Sequence, residues 1–315
     1  MEKRPLGRSG LAAAPLALGG NVFGWTADEA TSFAILDRFV DGGFQLVDTA
    51  NTYSTWVPGH QGGESETIIG NWLARGGRRE RIVLATKVGM QMGGEKGLAR
   101  AQVEKHVDAS LKRLKTDHID LYQTHADDLD TPVEETLEAL DRLVKSGKVR
   151  AIGASQYKPE RLRASLEASK RLGIASYQTL QPEFNLHDRA GFERDLQPIA
   201  REYSLAVIPF FGLARGFLSG KYRKVQDVEG RPREGGLKRY FEGDRGLRIL
   251  AALDSVGARV GATPAQVSLA WSMAQASIAA PIVSATSVAQ LDELMGAARL
   301  KLDTAALAEL DRASA

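Results

Sequence analysis

Leu16-Ala-Leu-Gly-Gly-Asn-Val-Phe-Gly24 decides which of two α/β folds this chain adopts. An open doubly wound sheet follows its first strand with Gly-x-Gly-x-x-Gly, where backbone meets pyrophosphate, and an acidic ribose ligand comes about 20 residues later. After the apolar run Leu16–Leu18 this chain reads Gly19-Gly20-Asn21-Val22-Phe23-Gly24. The stretch is glycine-rich at the wrong spacing, and no acidic residue is placed to receive a ribose. The dinucleotide fingerprint fails here. A (β/α)8 TIM barrel, one domain over residues 1–315, is the expectation instead.

The rest of the chain repeats a strand-then-helix rhythm. Strands are expected at Leu16–Leu18, Phe44–Asp48, Ile82–Lys87, Ile119–His125, Ala151–Ala154, Tyr177–Leu180, Ala206–Phe210 and Ala280–Val283. These runs are β-branched and leucine-rich without strict alternation, as parallel strands covered on both faces should be. Helix signals lie between them. Thr26-Ala-Asp-Glu29 reads as a capping box before Ala30–Val40. Thr131-Pro132 and Thr263-Pro264 place proline at a first helical position. Further helices are expected near Ser65–Arg75, Arg100–Leu114, Pro159–Leu172 and Asp188–Tyr203. The largest irregular region, 212–243, follows the seventh strand and reads as a lid or binding loop at the mouth.

Bulk properties exclude several classes. At 315 residues, 43% hydrophobic and 25% charged, the chain has ample material for a core. A net charge of +2 gives no reason to expect nucleic acid or an anionic membrane as partner, and the run Arg231–Arg239 reads as a solvated loop. With no cysteine there are no disulfides, thiolate metal sites or cysteine nucleophiles. The start is polar and no stretch approaches a membrane span, so a cytoplasmic protein is expected. No His/Asp/Glu spacing suggests a metal site.

Three strands end in chemistry. Leu46–Ser54 delivers Asp48 and Tyr53, Ile82–Gly89 delivers Lys87, and Ile119–His125 delivers His125. Singly, these read as a turn cap, a packed aromatic, a solvated charge and a core histidine. Together they fall at the C-terminal ends of successive strands, where barrel enzymes gather their catalytic groups. A free phenol has a pKa near 10, and a neighbouring ammonium is expected to lower it. Asp48 keeps Lys87 charged, and an imidazole can orient a carbonyl oxygen. The set makes a proton donor for a developing alkoxide, and a cofactor must bring the hydride. A Schiff-base role for Lys87 is disfavoured, because Asp48 holds the amine as a non-nucleophilic cation. Trp25, Trp56 and Met90, just after the first three strands, read as an apolar substrate pocket.

The chain resembles an aldo-keto reductase along nearly its whole length. The resemblance rests on Pro5-Leu-Gly-Arg-Ser-Gly-Leu11, Asp48-Thr-Ala-Asn-Thr-Tyr53, Gly63-Glu-Ser-Glu-Thr-Ile-Ile-Gly70, Ala85-Thr-Lys87 and Leu111–His125. It implies transfer of a hydride from NADPH to an aldehyde or ketone, or the reverse alcohol oxidation. Tyr53 would be the general acid, tuned by Lys87 and Asp48, with His125 orienting the carbonyl. It further implies that Gly20 and Asn21 border the cofactor and that Ser155, Gln156 and Gln178 hold the nicotinamide carboxamide. Phe210 and Phe211 would flank the nicotinamide ring. Leu213, Arg215, Gly216, Leu218 and Lys221 would wrap the pyrophosphate, and Ser284, Thr286, Gln290 and Glu293 would grip the adenosine end. No basic residue stands at Ser284 or Gln290, which keeps NAD(H) open beside the expected NADP(H). A nucleotide-holding module that senses redox state or docks a partner is the alternative; His125 argues for an enzyme. The sequence names neither the substrate nor the oligomeric state.

Overall fold

The computed structural model describes residues 1–230 and 234–315. The chain opens with a small antiparallel hairpin, β1 (Arg4–Pro5) and β2 (Ala12–Ala13), which sequence periodicity did not reveal. Then come β3 (Ala17–Gly19), α1 (Glu29–Asp41), β4 (Leu46–Asp48), α2 (Glu64–Leu73), β5 (Val83–Val88) and α3 (Arg100–Leu114). They are followed by β6 (Ile119–Thr124), α4 (Val133–Lys145), β7 (Val149–Ser155), α5 (Pro159–Leu172) and β8 (Tyr177–Gln181). After the short α6 (Gln197–Glu202), β9 (Ala206–Val207) leads to α7 (Glu234–Leu237), α8 (Arg245–Val260) and α9 (Pro264–Ala274). β10 (Ile282–Val283), α10 (Val288–Gly296) and α11 (Thr304–Ser314) complete the order.

β3 to β10 form one eight-stranded parallel sheet in the order β10-β3-β4-β5-β6-β7-β8-β9. The protein is therefore α/β, as the alternating pattern required. At the sheet's ends, Val207 N donates to Ser277 O at 3.1 Å, Ala279 N to Val207 O at 2.8 Å and Ile282 N to Pro209 O at 2.9 Å. These bonds join β9 and Pro209, two residues beyond it, to the segment that leads into β10 and to its first residue.

Strand period sorts the side chains into two cores. In β5, Leu84 and Val88 join the large cluster between sheet and helices, while Ala85 joins a second cluster on the inner face with Leu46, Leu121 and Ala151. Leu6 of the hairpin is buried in that inner cluster and plugs it at the strands' N-terminal ends. Gly7 makes this fit, since a Cβ there would meet Gln178 O at 2.3 Å. The opposite, C-terminal end of the inner face is left for polar groups.

Several local expectations change. The α1 cap is Asp28, which accepts from Thr31 N, so Thr26-x-x-Glu29 is not a capping box. Pro132 is the N-cap of α4 rather than its first residue. Thr263 does cap α9, in a reciprocal box with Gln266. The expected helix over Asp188–Tyr203 is a π-helical turn, Phe192–Leu196, running into α6. Helices α8, α10 and α11 were not anticipated. Region 212–243 is built from short helical turns that bury Phe217, Val228, Leu237 and Tyr240; Arg231–Arg233 of the expected basic loop lie outside the described residues. Among the described residues, no helix is long and apolar enough to cross a membrane.

Candidate active site

The turn after β4 is carried by its neighbour. Thr49 N donates to Ala85 O at 2.9 Å and Asn51 N to Lys87 O at 3.2 Å, so pairing with β5 continues beyond the strand. Thr49 Oγ1 meets Ser65 Oγ at 2.8 Å, and Ser65 Oγ donates to Gly20 O at 2.7 Å. The turn is therefore tied to α2 and to the end of β3 before it reaches Tyr53. On β6, His125 N donates to Val88 O at 2.7 Å, which extends that strand by one pairing and delivers the imidazole.

Lys87 lies at the centre, fully buried. Its Nζ donates to Asp48 Oδ2 at 2.5 Å, to Thr49 O at 2.9 Å and to Tyr53 OH at 2.9 Å. The His125 ring meets Tyr53 edge-on, with centroids 5.8 Å apart. All four expected catalytic residues are together. Two glutamines that the sequence reading missed complete the set. Gln123 Nε2 and Gln181 Nε2 both donate to Asp48 Oδ1, at 3.0 and 3.1 Å, and Gln181 Nε2 also donates to Gln123 Oε1 at 3.2 Å. Both oxygens of the buried carboxylate thus have donors, which a buried charge needs.

Burial changes the expected titration of the phenol. Desolvation raises the Tyr53 pKa above its usual value, and the pull of Lys87 only partly offsets it. The sequence reading anticipated a net lowering; the dry site outweighs the ammonium. Burial works to lower the Lys87 ammonium, but Asp48 and Tyr53 together overcome it and its pKa is raised. Burial, then Lys87, push His125 well below its usual value, so the imidazole is neutral. The site therefore holds a neutral phenol, a charged amine and a neutral imidazole.

Asp48, Tyr53 and His125, though not the buried Lys87, open onto a cavity of about 440 Å³ that also reaches Ser155, Gln156, Phe210, Phe211, Leu213, Arg215, Gly216 and Lys221. Asn21, Ser284, Gln290 and Glu293, from the segments after β3 and β10, line it as well. Most of the residues assigned by resemblance to a cofactor thus share one space; four of them, and Trp25 of the expected substrate pocket, do not line it. Gln178 stands near the start of β8, its Oε1 accepting from Arg8 N and its Nε2 donating to Ser176 O. Gln181, in register with Ser155 at the strand's C-terminal end, lines the cavity instead. The rule that found Asp48 and Lys87, reading the strand end, selects Gln181. Gly20 is buried against Ser65, and its neighbour Gly19 lines the cavity. Leu218 packs in the core, whereas Ser219 lines the wall. Thr286 is engaged with Gln290 Oε1 through its N and Oγ1. Trp25 packs edge-on against Trp56, which with Met90 does reach the cavity.

The donor set fits a dinucleotide. Gln156 stands in the left-handed region at φ 54°, a conformation asparagine takes more easily, with its Nε2 on His125 O at 3.0 Å. Arg215 and Gly216 follow at φ 59° and 101°, turning the backbone around the cavity wall. Arg215 Nε is buried without a hydrogen-bond partner among the described residues, and its guanidinium lies 4.0 Å over the Phe211 ring. A buried cationic donor left unsatisfied beside a cavity suits an anionic ligand.

Comparison with known proteins agrees with this geometry. The model of the Aldo/keto reductase family matches residues 15–315. The chain belongs to the aldo/keto reductase family. It is 38% identical over 314 residues to the uncharacterized oxidoreductase YrpG of Bacillus subtilis (strain 168), covering 96% of this chain and 93% of that one. It is 32% identical over 301 residues to the norsolorinic acid reductase stcV of Emericella nidulans, covering 90% and 74%. Identity to the Schizosaccharomyces pombe aldo-keto reductase yakc, whose name specifies NADP(+), is 30% over 299 residues, covering 93% and 84%. This aldo/keto reductase is thus an NAD(P)H-dependent oxidoreductase, with NADP(H) as the family's cofactor.

Proposed function

We propose that this aldo/keto reductase reduces an aldehyde or ketone, with Tyr53 giving the proton. The observation that carries the reading is Lys87 Nζ, 2.5 Å from Asp48 Oδ2 and 2.9 Å from Tyr53 OH, with Asp48, Tyr53 and His125 lining one cavity. Bound NADPH supplies the hydride. Neutral His125 hydrogen-bonds the carbonyl oxygen and aims it at the phenol. As negative charge grows on that oxygen, Tyr53 transfers its proton, and the Lys87 cation stabilises the phenolate left behind. Asp48, held by Gln123 and Gln181, keeps the cation in place. In the reverse direction the phenolate accepts the alcohol proton. Ser155, Gln156 and Gln181 would hold the carboxamide, Phe210 and Phe211 would flank the ring, and Arg215, Gly216 and Lys221 would take the pyrophosphate. Asn21, Ser284, Gln290 and Glu293 would take the adenosine end.

Around this site we read one domain over residues 1–315, a closed (β/α)8 barrel. The hydrogen bonds from Val207, Ala279 and Ile282 support closure. Region 212–243 serves as its lid, supported by Arg239, whose guanidinium reaches Glu183 and Asp188 of the segment after β8 at 2.8 Å. We place the enzyme in the cytoplasm, in keeping with a chain free of cysteine. A complete proton-donating set favours turnover over the nucleotide-holding module.

The test is NADPH oxidation with a panel of aldehydes and ketones, run on the wild type and Tyr53→Phe. The wild type should consume NADPH, and the variant should lose about 10²–10⁴-fold in kcat while binding NADPH with unchanged affinity. Silence across the whole panel sinks the reductase reading. An active Tyr53→Phe enzyme sinks the assignment of the acid.

A further inference from the structure

The cavity is chemically divided, and the division names a substrate class; this inference rests on the carbonyl-reductase reading above. Tyr53, Trp56, Met90 and His125 come from the segments that follow β4, β5 and β6, which are neighbours in the sheet. Arg215 and Lys221 follow β9, and Glu293 lies on α10 after β10, so the cavity's other charges belong to the nucleotide half. In the substrate half, the charged cavity residue Asp48 is consumed by Lys87 and two glutamines. No cation there is free to meet a substrate carboxylate among the described residues lining the cavity.

What this half does offer is aromatic surface. Trp56 remains 48% exposed, although its ring is framed on two sides. Tyr53 meets it at 6.0 Å and 63°, and Trp25 at 5.6 Å and 80°. The frame is itself anchored, because Ser54 Oγ donates to Phe23 O and so ties the Trp56 turn to the segment carrying Trp25. A large apolar ring held half uncovered, against the proton donor and on a cavity wall, is a surface for a ligand to cover. Met90 adds a polarizable thioether that also suits an aromatic ring.

We propose that the substrate is an uncharged carbonyl compound carrying an aromatic ring, and that Trp56 selects it by packing against that ring. The carbonyl lies between Tyr53 and His125, and the ring extends toward Trp56 and Met90. An added carboxylate loses its water there and finds no partner. An aliphatic ring of equal size fills the space without the aromatic pairing.

The experiment compares three substrates on the full-length enzyme: phenylacetaldehyde, cyclohexylacetaldehyde and para-carboxyphenylacetaldehyde. The methylene spacer keeps the ring out of conjugation, so intrinsic carbonyl reactivity is matched. The expected kcat/KM for the phenyl compound exceeds the cyclohexyl one by about tenfold and the carboxylated one by about a hundredfold. In Trp56→Leu the phenyl-to-cyclohexyl ratio should fall to about one. Equal wild-type values for phenyl and cyclohexyl, good turnover of the carboxylate, or an aryl preference that survives Trp56→Leu would each overturn the proposal. Phenylethanol binding, followed by tryptophan fluorescence, separates this idea from the reading beneath it. A quench that Trp56→Phe loses, without turnover of any aldehyde, supports the aryl site and sinks the reductase reading. Turnover without an aryl-dependent quench does the opposite.

Discussion

The two ends of the cavity are built on different principles. At the acid–base end, every group sits on a strand or one turn beyond it, and each buried charge is already paired within the protein. Asp48 accepts from Lys87, Gln123 and Gln181, and Lys87 donates to three oxygens. At the other end, where we propose the nucleotide binds, the wall is the segment Phe211–Lys221. There Phe211, Ala214 and Arg215 take positive φ values of 54°, 47° and 59°, and Arg215 Nε lacks a partner among the described residues. Non-glycine residues in that region cost roughly 1–2 kcal/mol each. The first end is completed by folding; the second leaves the Arg215 Nε donor unpaired among the described residues, where we propose the nucleotide binds. Damage to the first should therefore register in stability and catalysis, and damage to the second in affinity.

Lys87→Met gives the largest effect on this view. It leaves the Asp48 carboxylate buried with its main counter-charge gone, which costs about 3–5 kcal/mol of stability. Chemical denaturation measures this, and turnover should disappear as well. A variant as stable as the wild type would show that the pair is not part of the folded core. Lys221→Met should be milder and different in kind. It removes a cation from the nucleotide wall and should raise the NADPH dissociation constant about tenfold, or about 1.4 kcal/mol, with stability and saturated kcat nearly intact. The loss should shrink as salt is added, because the lost interaction is charge with phosphate. If Lys221→Met lowers stability as Lys87→Met does, the two ends are not distinct.

The same difference explains what the sequence revealed. Asp48, Lys87 and His125 were readable because a parallel strand has one functional end, and a polar residue at that end of an apolar run stands out. Gln123 obeys the same geometry, two residues before His125 on the same face of β6, but lies inside the run and was passed over. Likeness of motif points to Gln178, whereas position along β8 selects Gln181. The strand–helix alternation gives the α/β class and locates all eight strands of the sheet, although β9 and β10 are only two residues long, shorter than their apolar runs, and the segments after them conceal α8, α10 and α11. At the nucleotide end, Arg215, Gly216 and Ser219 owe their place to backbone turns of positive φ, and no periodicity encodes those. The raised Tyr53 pKa was missed for a further reason. A neighbouring cation can be read from a sequence, but the degree of burial that outweighs it cannot.

Protonation of His125 gives the smallest effect and tests whether the acid–base end is as dry as its contacts indicate. Burial and Lys87 hold the folded-state pKa of this imidazole well below the ordinary value of about 6.5. In the unfolded chain the ring takes up its proton near that ordinary value, so between the two pKa values the unfolded state binds more protons. Stability linked to this residue is then fully present above about 6.5 and is lost as the pH falls toward the folded-state value. Carboxylates that protonate in the same range add their own losses, so the informative quantity is the difference between wild type and His125→Asn. Melting temperatures recorded from neutral pH downward should fall more steeply for the wild type, and the two curves should converge in slope above about 6.5. Parallel curves throughout would mean that water reaches the imidazole and that its charge is tolerated beside Lys87. The division between a pre-paired end and an open one would then fail at the residue that faces both Tyr53 and the cavity.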